Sequence, residues 1–214
     1  MLRCVTRKLS AALRGKYCSG YAAPLFVAVH TMAEKARKGE LFDEFADDLL
    51  AERGVRPLII VGASKVDDAL VEILRRFLLP KISKANGQDE LLDGARPLGT
   101  FSARIKTCRR LGLIDETLYC ALERLRSVRN LCAHSIWFDA SKSPARDHLA
   151  ELSKHVTNRR SYKLTKERYF NNSLLQPIEE WQCLLLTLCV LLEAIREKVK
   201  STRGSKVALR IAAK

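Results

Sequence analysis

No stretch of this sequence alternates apolar and polar residues over the roughly four to eight positions that a half-buried strand needs, which argues against a sheet-based fold. None stays apolar for the about 20 residues required to cross a bilayer. The longest such run, Cys183 to Leu192, is interrupted by Thr187 and bracketed by Glu179, Glu180 and Glu193, so it reads as a buried core helix or a subunit interface. No pair of CxxC motifs occurs, which removes the zinc-ribbon and zinc-finger classes. A phosphate loop, a GxSxG elbow and a glycine-rich dinucleotide fingerprint are missing as well. Histidine is scarce, four residues in all. His30, His148 and His155 have no partner at metal-ligand spacing, so neither a metal nor a cofactor is expected. Residues Met1 to Tyr21 are basic and contain no acid, somewhat like a transit peptide, but hold no sustained apolar core, which speaks against a secretory signal. The seven cysteines are odd in number and irregularly spaced inside apolar helical patterns. They fit reduced core residues of a cytoplasmic protein.

What is present is enough for one well-buried domain: 214 residues, 47% of them hydrophobic. The net charge of +14 and a pI near 9.7 favour a polyanionic partner such as nucleic acid. Apolar residues recur at helical spacing over Pro24–Arg37, Leu41–Glu52, Leu58–Leu79, Gly99–Leu111, Leu113–His134 and Ile178 to about Val199. The early half of Leu58–Leu79 is small and aliphatic on nearly all sides, which suggests a central element. Pro80 stops that helix and Gly112 caps the fourth. Lys81–Arg96 reads as a loop or short helix, and Trp137–Lys163, polar with Pro144 as a breaker, as loops and one short helix. The expected fold is therefore all-α: a single helical bundle over residues 24–197, with a basic leader (1–23) and a basic tail (198–214).

The most informative stretch is Leu113–His134. Asp115 is a good N-cap, because its short carboxylate accepts the free backbone N–H groups of the first turn. Leu118, Leu122, Leu125, Val128 and Cys132 then form one buried stripe. The helix closes on Arg129-Asn130-Leu131-Cys132-Ala133-His134. Asn130 and His134 share a face, whereas Arg129 and His134 are about 140° apart on a helix of 3.6 residues per turn. To meet at one atom, either the helix ends between them or a second subunit completes the site. Two plainer roles stand beside this one. His134 can bond the last carbonyls of its helix, and Arg129 can pair with an acid among Asp67, Asp68 and Glu72.

Four blocks in order, Val66-Asp67-Asp68-Ala69-Leu70 with Glu72, Pro97-Leu98-Gly99-Thr100-Phe101-Ser102-Ala103-Arg104-Ile105-Lys106, Leu111-Gly112-Leu113-Ile114, and Val128 to His134, resemble the mannitol operon repressor (MtlR-like) family over roughly Arg56–Asp139. The resemblance implies an oligomeric helical bundle, a homodimer or higher homo-oligomer, with a role in transcriptional repression; no helix-turn-helix is evident. The RNxxAH ending also resembles the HEPN superfamily, whose active members are metal-independent RNA endonucleases. Carried over, Arg129 and His134 become the catalytic pair, with Asn130 beside them. The chemistry is coherent: a histidine titrates near neutrality and can take the proton of a ribose 2′-OH, and an arginine can brace phosphate oxygens as charge grows on them.

Two functions thus stay open. One is a regulator that binds nucleic acid or a protein partner. The other is a toxin- or defence-type ribonuclease. For nucleic-acid contact the candidates are Arg104, Lys106, Arg109 and Arg110 on the basic outer face of Gly99–Leu111, together with Lys198, Lys200, Arg203 and Lys206 of the tail. Ser102 and Lys106, four apart, share a face and can line the same groove. No membrane partner is expected.

Overall fold

The structure, a computed structural model, describes residues 40–79 and 89–201. Among them there are helices and turns and no strand, so the all-α reading holds. The helices are α1 (residues 40–51), α2 (Val55–Phe77), α3 (Phe101–Arg110), α4 (Glu116–His134), α5 (Ala145–Val156), α6 (Arg160–Phe170) and α7 (Pro177–Lys198). The expected helix Pro24–Arg37, the leader, residues 80–88 and most of the tail lie outside the described residues. The chain divides into two compact units at Asp47–Asp48. Of the first, residues 40–47 are described, including the tilted ring pair Phe42–Phe45.

In the second unit α2 and α7 form the central pair, with α4 and α3 against α2, α6 against α7, and α5 packed mainly on α4 with a lesser contact to α7. The reason lies in their composition. α7 buries Trp181, Cys183, Leu184, Leu185, Leu186, Leu188, Cys189 and Leu192, and α2 buries Leu58, Ile59, Ala63, Val66, Leu70, Ile73 and Leu74. Each large side chain withdrawn from water contributes about 1.5–3 kcal/mol, so this interface carries much of the stability. Two polar side chains buried on α7 are satisfied. Thr187 returns its hydroxyl to the Cys183 carbonyl at 2.7 Å. The Gln182 amide nitrogen reaches the carbonyls of Leu49 (3.1 Å), Leu50 (3.1 Å) and Glu52 (3.2 Å), groups that the end of α1 leaves without helical donors.

Helix boundaries follow local chemistry. Asp115 caps α4 as expected, accepting the Leu118 N–H at 2.7 Å. Burial works against its ionisation, but the hydrogen bonds from Arg159 and Leu118 outweigh this and hold its carboxyl below the usual range. Thr100 caps α3 through the Ala103 N–H. Gly112, at φ +69°, closes α3 in a Schellman turn, with Gly112 N–H to the Arg109 carbonyl and Leu113 N–H to the Cys108 carbonyl. Pro177 sits at the first position of α7, and the Glu179 carboxylate accepts the Gln176 N–H at 2.8 Å.

The segment Trp137–Lys163, read as loops and one short helix, holds turns, the short helix α5 and the start of a second, α6, which runs on to Phe170. Their apolar content is thin: α5 buries Ala145, Leu152 and Val156, and α6 buries Thr165 and Phe170. Such narrow stripes give little periodic signal alone. Docking on α4 and α7 supplies what propensity does not.

The close crossing of α2 and α7 turns on Gly62. A Cβ there would lie 2.6 Å from one Leu185 methyl carbon and 3.0 Å from Leu185 Cγ. Leu185 is fully buried and has little room to retreat. Gly62→Val is therefore expected to cost about 2 kcal/mol by overpacking, against a small gain in helix propensity. Denaturant unfolding reads this directly. A variant as stable as the wild type would mean the two helices are not held this close.

Candidate functional site

α4 does not end between Arg129 and His134. It runs through His134, and the Ser135 N–H closes its last turn on the Leu131 carbonyl at 3.0 Å. Five residues along an unbroken helix separate the two side chains by about 7.5 Å of rise and about 140° of rotation. One chain therefore does not aim both at the same atom. Arg129 and His134 are both exposed and Asn130 is half-buried. Arg129 reaches only the Asn130 side-chain oxygen, at a long 3.4 Å. It forms no ion pair with the acids proposed for it: Asp67 is held by Arg104 at 2.6 Å and Glu72 by Arg75 at 2.9 Å. His134 makes no hydrogen bond or ion pair among the described residues.

The carbonyls that His134 was expected to bond are taken by Arg56, in the first turn of α2. Its Nε and Nη2 donate to the Cys132 carbonyl at 2.9 and 2.7 Å, and Nη2 also donates to the Ser135 carbonyl. A positive guanidinium on the negative end of a helix is favourable twice, through hydrogen bonds and through the helix dipole. It leaves His134 free at the surface. It also fixes where the chain departs, and the next two residues are apolar and open to solvent, Ile136 at 81% and Trp137 at 91% exposure.

The expected nucleic-acid residues on α3 separate into spent and spare. Arg104 is spent: besides Asp67 it donates to the Leu98 and Leu92 carbonyls, both at 2.9 Å, and binds the turn segment 89–100 to α2 and α3. As a phosphate contact it is corrected to an internal clamp. Gly99 belongs to the same clamp, because a Cβ there would fall 1.9 Å from the Gly94 carbonyl oxygen. Much of the Pro97–Lys106 block is thus architecture. Arg109 is paired with Glu116 at 2.6 Å. Lys106 and Arg110 are exposed and unpaired among the described residues, as are Lys198 and Lys200. Arg203 and Lys206 lie outside the described residues.

Of the supporting acids, Asp67 turns inward to Arg104 while Asp68 stays exposed, as neighbours on a helix must. Asp68 and Glu72, with Arg75, Leu92, Asp93 and Arg104, line a cleft of about 450 Å³. Neither acid bonds to the residues at the end of α4. Ser102 is half-buried in the first turn of α3. No group of three or more His, Cys, Asp or Glu among the described residues is arranged to hold a metal. Burial pushes the thiols of Cys108 and Cys189 up to about 12 and those of Cys132 and Cys183 to about 11, which keeps them protonated and unreactive at neutral pH.

Charge is unevenly spread. Residues 40–79 and 89–201 hold 24 of the 38 basic and 23 of the 24 acidic residues, a net +1; the remaining +13 belongs to 1–39, 80–88 and 202–214. Sequence reasoning missed Arg56, whose partners are 76 and 79 positions away. It also passed over Ile136-Trp137, an apolar pair after a helix end that was visible as a signal.

No family model matches the chain, and no curated protein matches it. Among solved structures, a chain of the MtlR–HPr complex from Escherichia coli is similar to 72% of this chain over 98% of its own length, with 21% identity and a TM-score of 0.49. YggD, a possible transcriptional regulator from Shigella flexneri 2a str. 2457T, is similar to 72% of this chain over 96% of its own, with 13% identity and a TM-score of 0.48. Among the described residues no helix is long and apolar enough to cross a membrane.

Arg56→Ala removes charge-assisted bonds to two carbonyls and is expected to cost about 2 kcal/mol. It should also speed amide hydrogen exchange across residues 135–139. Arg56→Lys should recover only part of this, since one ammonium does not reproduce the planar fork. Full recovery by lysine would show that charge alone matters there.

Proposed function

We propose that this chain is a regulatory protein of the MtlR type that works by binding a macromolecular partner and not by turning over a substrate within one chain. The observation that carries the reading is the open end of α4. Arg129, His134, Ile136 and Trp137 are all exposed, within nine residues, on an end braced by Arg56. Tryptophan and arginine are among the side chains that most often anchor protein interfaces, tryptophan by burying a large rigid area and arginine by charge-assisted hydrogen bonds. An almost bare tryptophan beside an exposed isoleucine gains from being covered. The exposed pair Ile136-Trp137 is apolar, which fits a protein partner at this end better than a polyanion. The MtlR-like blocks in the sequence point to the same class.

HPr, present with MtlR in the Escherichia coli complex, is the first partner to titrate. Calorimetry on the full chain is expected to give binding that Trp137→Ala weakens about tenfold or more. Binding indifferent to Trp137→Ala would move the interface elsewhere, and absence of binding would remove HPr as the partner.

A second reading is supported by the idleness of Arg129 and His134, which the fold does not use. In a two-fold pairing, an arginine of one chain and a histidine of the other would form a metal-independent ribonuclease site. That reading expects RNA cleavage in EDTA, abolished by His134→Ala and by Arg129→Ala with helicity unchanged. A folded wild type that leaves diverse RNAs intact would remove it.

A further inference from the structure

A further run of positive charge on the described residues lies on neither α3 nor the α4 end. From Lys154 to Arg168 the chain holds six basic residues and one acid, Glu167. The described residues as a whole carry only +1, so this stretch is the positive pole of a nearly neutral body. Three of the six are engaged: Lys154 by Glu151 and Arg159 by Asp115, each at 2.6 Å, and Arg168 over the Tyr169 ring at 5.2 Å. Arg160, Lys163 and Lys166 have no hydrogen-bond or ion-pair partner among the described residues. Arg160 and Lys163 are exposed and Lys166 is half-exposed.

The packing explains why these three stay free. α6 turns Thr165 and Phe170 inward, while Arg160 and Lys163 in its first half stay on the solvent side and Lys166 is half-exposed. The acids on the neighbouring elements are already engaged: Asp115 with Arg159, Glu151 with Lys154, and Glu180 with the Ser153 hydroxyl at 3.1 Å. Glu167, one turn from Lys163 on α6 itself, is the acid left to offset part of this face, which keeps a net positive charge. From Arg160 to Lys166 the helix rises about 9 Å. A nucleic-acid duplex presents on the order of five charges over that length, at one per ~1.7 Å.

We infer that the outward face of α6, through Arg160, Lys163 and Lys166, is a docking surface for the phosphodiester backbone of a nucleic acid. The partner is a polymer because the +13 held by residues 1–39, 80–88 and 202–214 calls for many more anionic sites than one helix face can fill. An anionic membrane fits less well. A helix lying in a bilayer interface needs a wide apolar face, and the exposed side of α6 offers Leu164, 52% exposed, among its charges. Backbone contacts of this kind position a protein without reading sequence, so the expected binding is salt-sensitive and tolerant of base composition. The inference goes beyond the partner reading at the α4 end and survives its failure.

The test is fluorescence anisotropy of the full chain with a short labelled DNA duplex and a short labelled single-stranded RNA over a salt series. Two triple variants are compared. One is Arg160→Gln/Lys163→Gln/Lys166→Gln. The other is Lys106→Gln/Arg110→Gln/Lys198→Gln, which removes the same charge from the unpaired cations that the sequence pointed to. The α6 variant is expected to lose about tenfold or more in affinity, and the salt slope should fall by about 2.7 for duplex DNA or about 2 for RNA. The other variant should lose less than about threefold. The preferred arm says which nucleic acid is bound. Exchanging Arg and Lys at the three α6 positions should retain binding, which separates a charge role from misfolding. Equal losses in the two triple variants would overturn the inference, since net charge alone would then explain binding. A wild type that binds neither nucleic acid would overturn it, as would one that binds phosphatidylserine vesicles or polyglutamate as tightly.

Discussion

The close crossing of α2 and α7 is the contact on which the folded unit depends. Two helices this apolar bury their faces fully only if their backbones come near, and Gly62 permits that because it has no side chain where Leu185 lies. Once the pair is formed, α2 offers a second face to α3 and α4, α7 offers one to α6, and α4 in turn receives α5. The weakly apolar α5 and α6 exist as helices because α4 and α7 are there to receive them. Their positions, and the placement of the charges they carry, follow from that docking.

Arginine does most of the polar work around that core, and where each one is spent decides what is left for partners. Arg104 ties two carbonyls of the turn segment and Asp67 into one knot. Arg56 closes the end of α4. Both guanidiniums satisfy carbonyls that would otherwise lack donors, which is worth more than a surface ion pair. The consequence for function is indirect. With the end of α4 held by Arg56, His134 and Arg129 have no structural duty, and Ile136-Trp137 is presented to solvent. The proposed partner surface at this end and the cationic face of α6 are then two different surfaces with different chemistry. One is apolar and aromatic, the other a row of unpaired cations. A regulator that joins a protein to a nucleic acid would need two such surfaces.

Much of this was legible in the chain itself. The all-α class came from period and from the absence of alternation. The Asp115 cap, the stripe Leu118, Leu122, Leu125, Val128 and Cys132, the Gly112 ending and the start at Pro177 are local effects, settled by residues within a turn of one another. The angular separation of Arg129 and His134 was readable too, because helix geometry needs no tertiary information. α6 was not read, since its stripe is thin and its stability comes from neighbours.

By itself the sequence determined the helices that carry their own signal, the charge, and the presence of an Arg-Asn…His ending at a helix terminus. Only the tertiary structure decided which cations are free. Arg104 and Arg109 look in sequence like Lys106 and Arg110, yet the first pair meets Asp67 and Glu116 and the second meets solvent. The physical reason is range. Caps and amphipathic stripes are set within a few residues, whereas an ion pair or a carbonyl clamp joins residues 37 or 76 positions apart. Such partners become neighbours only after the core has closed.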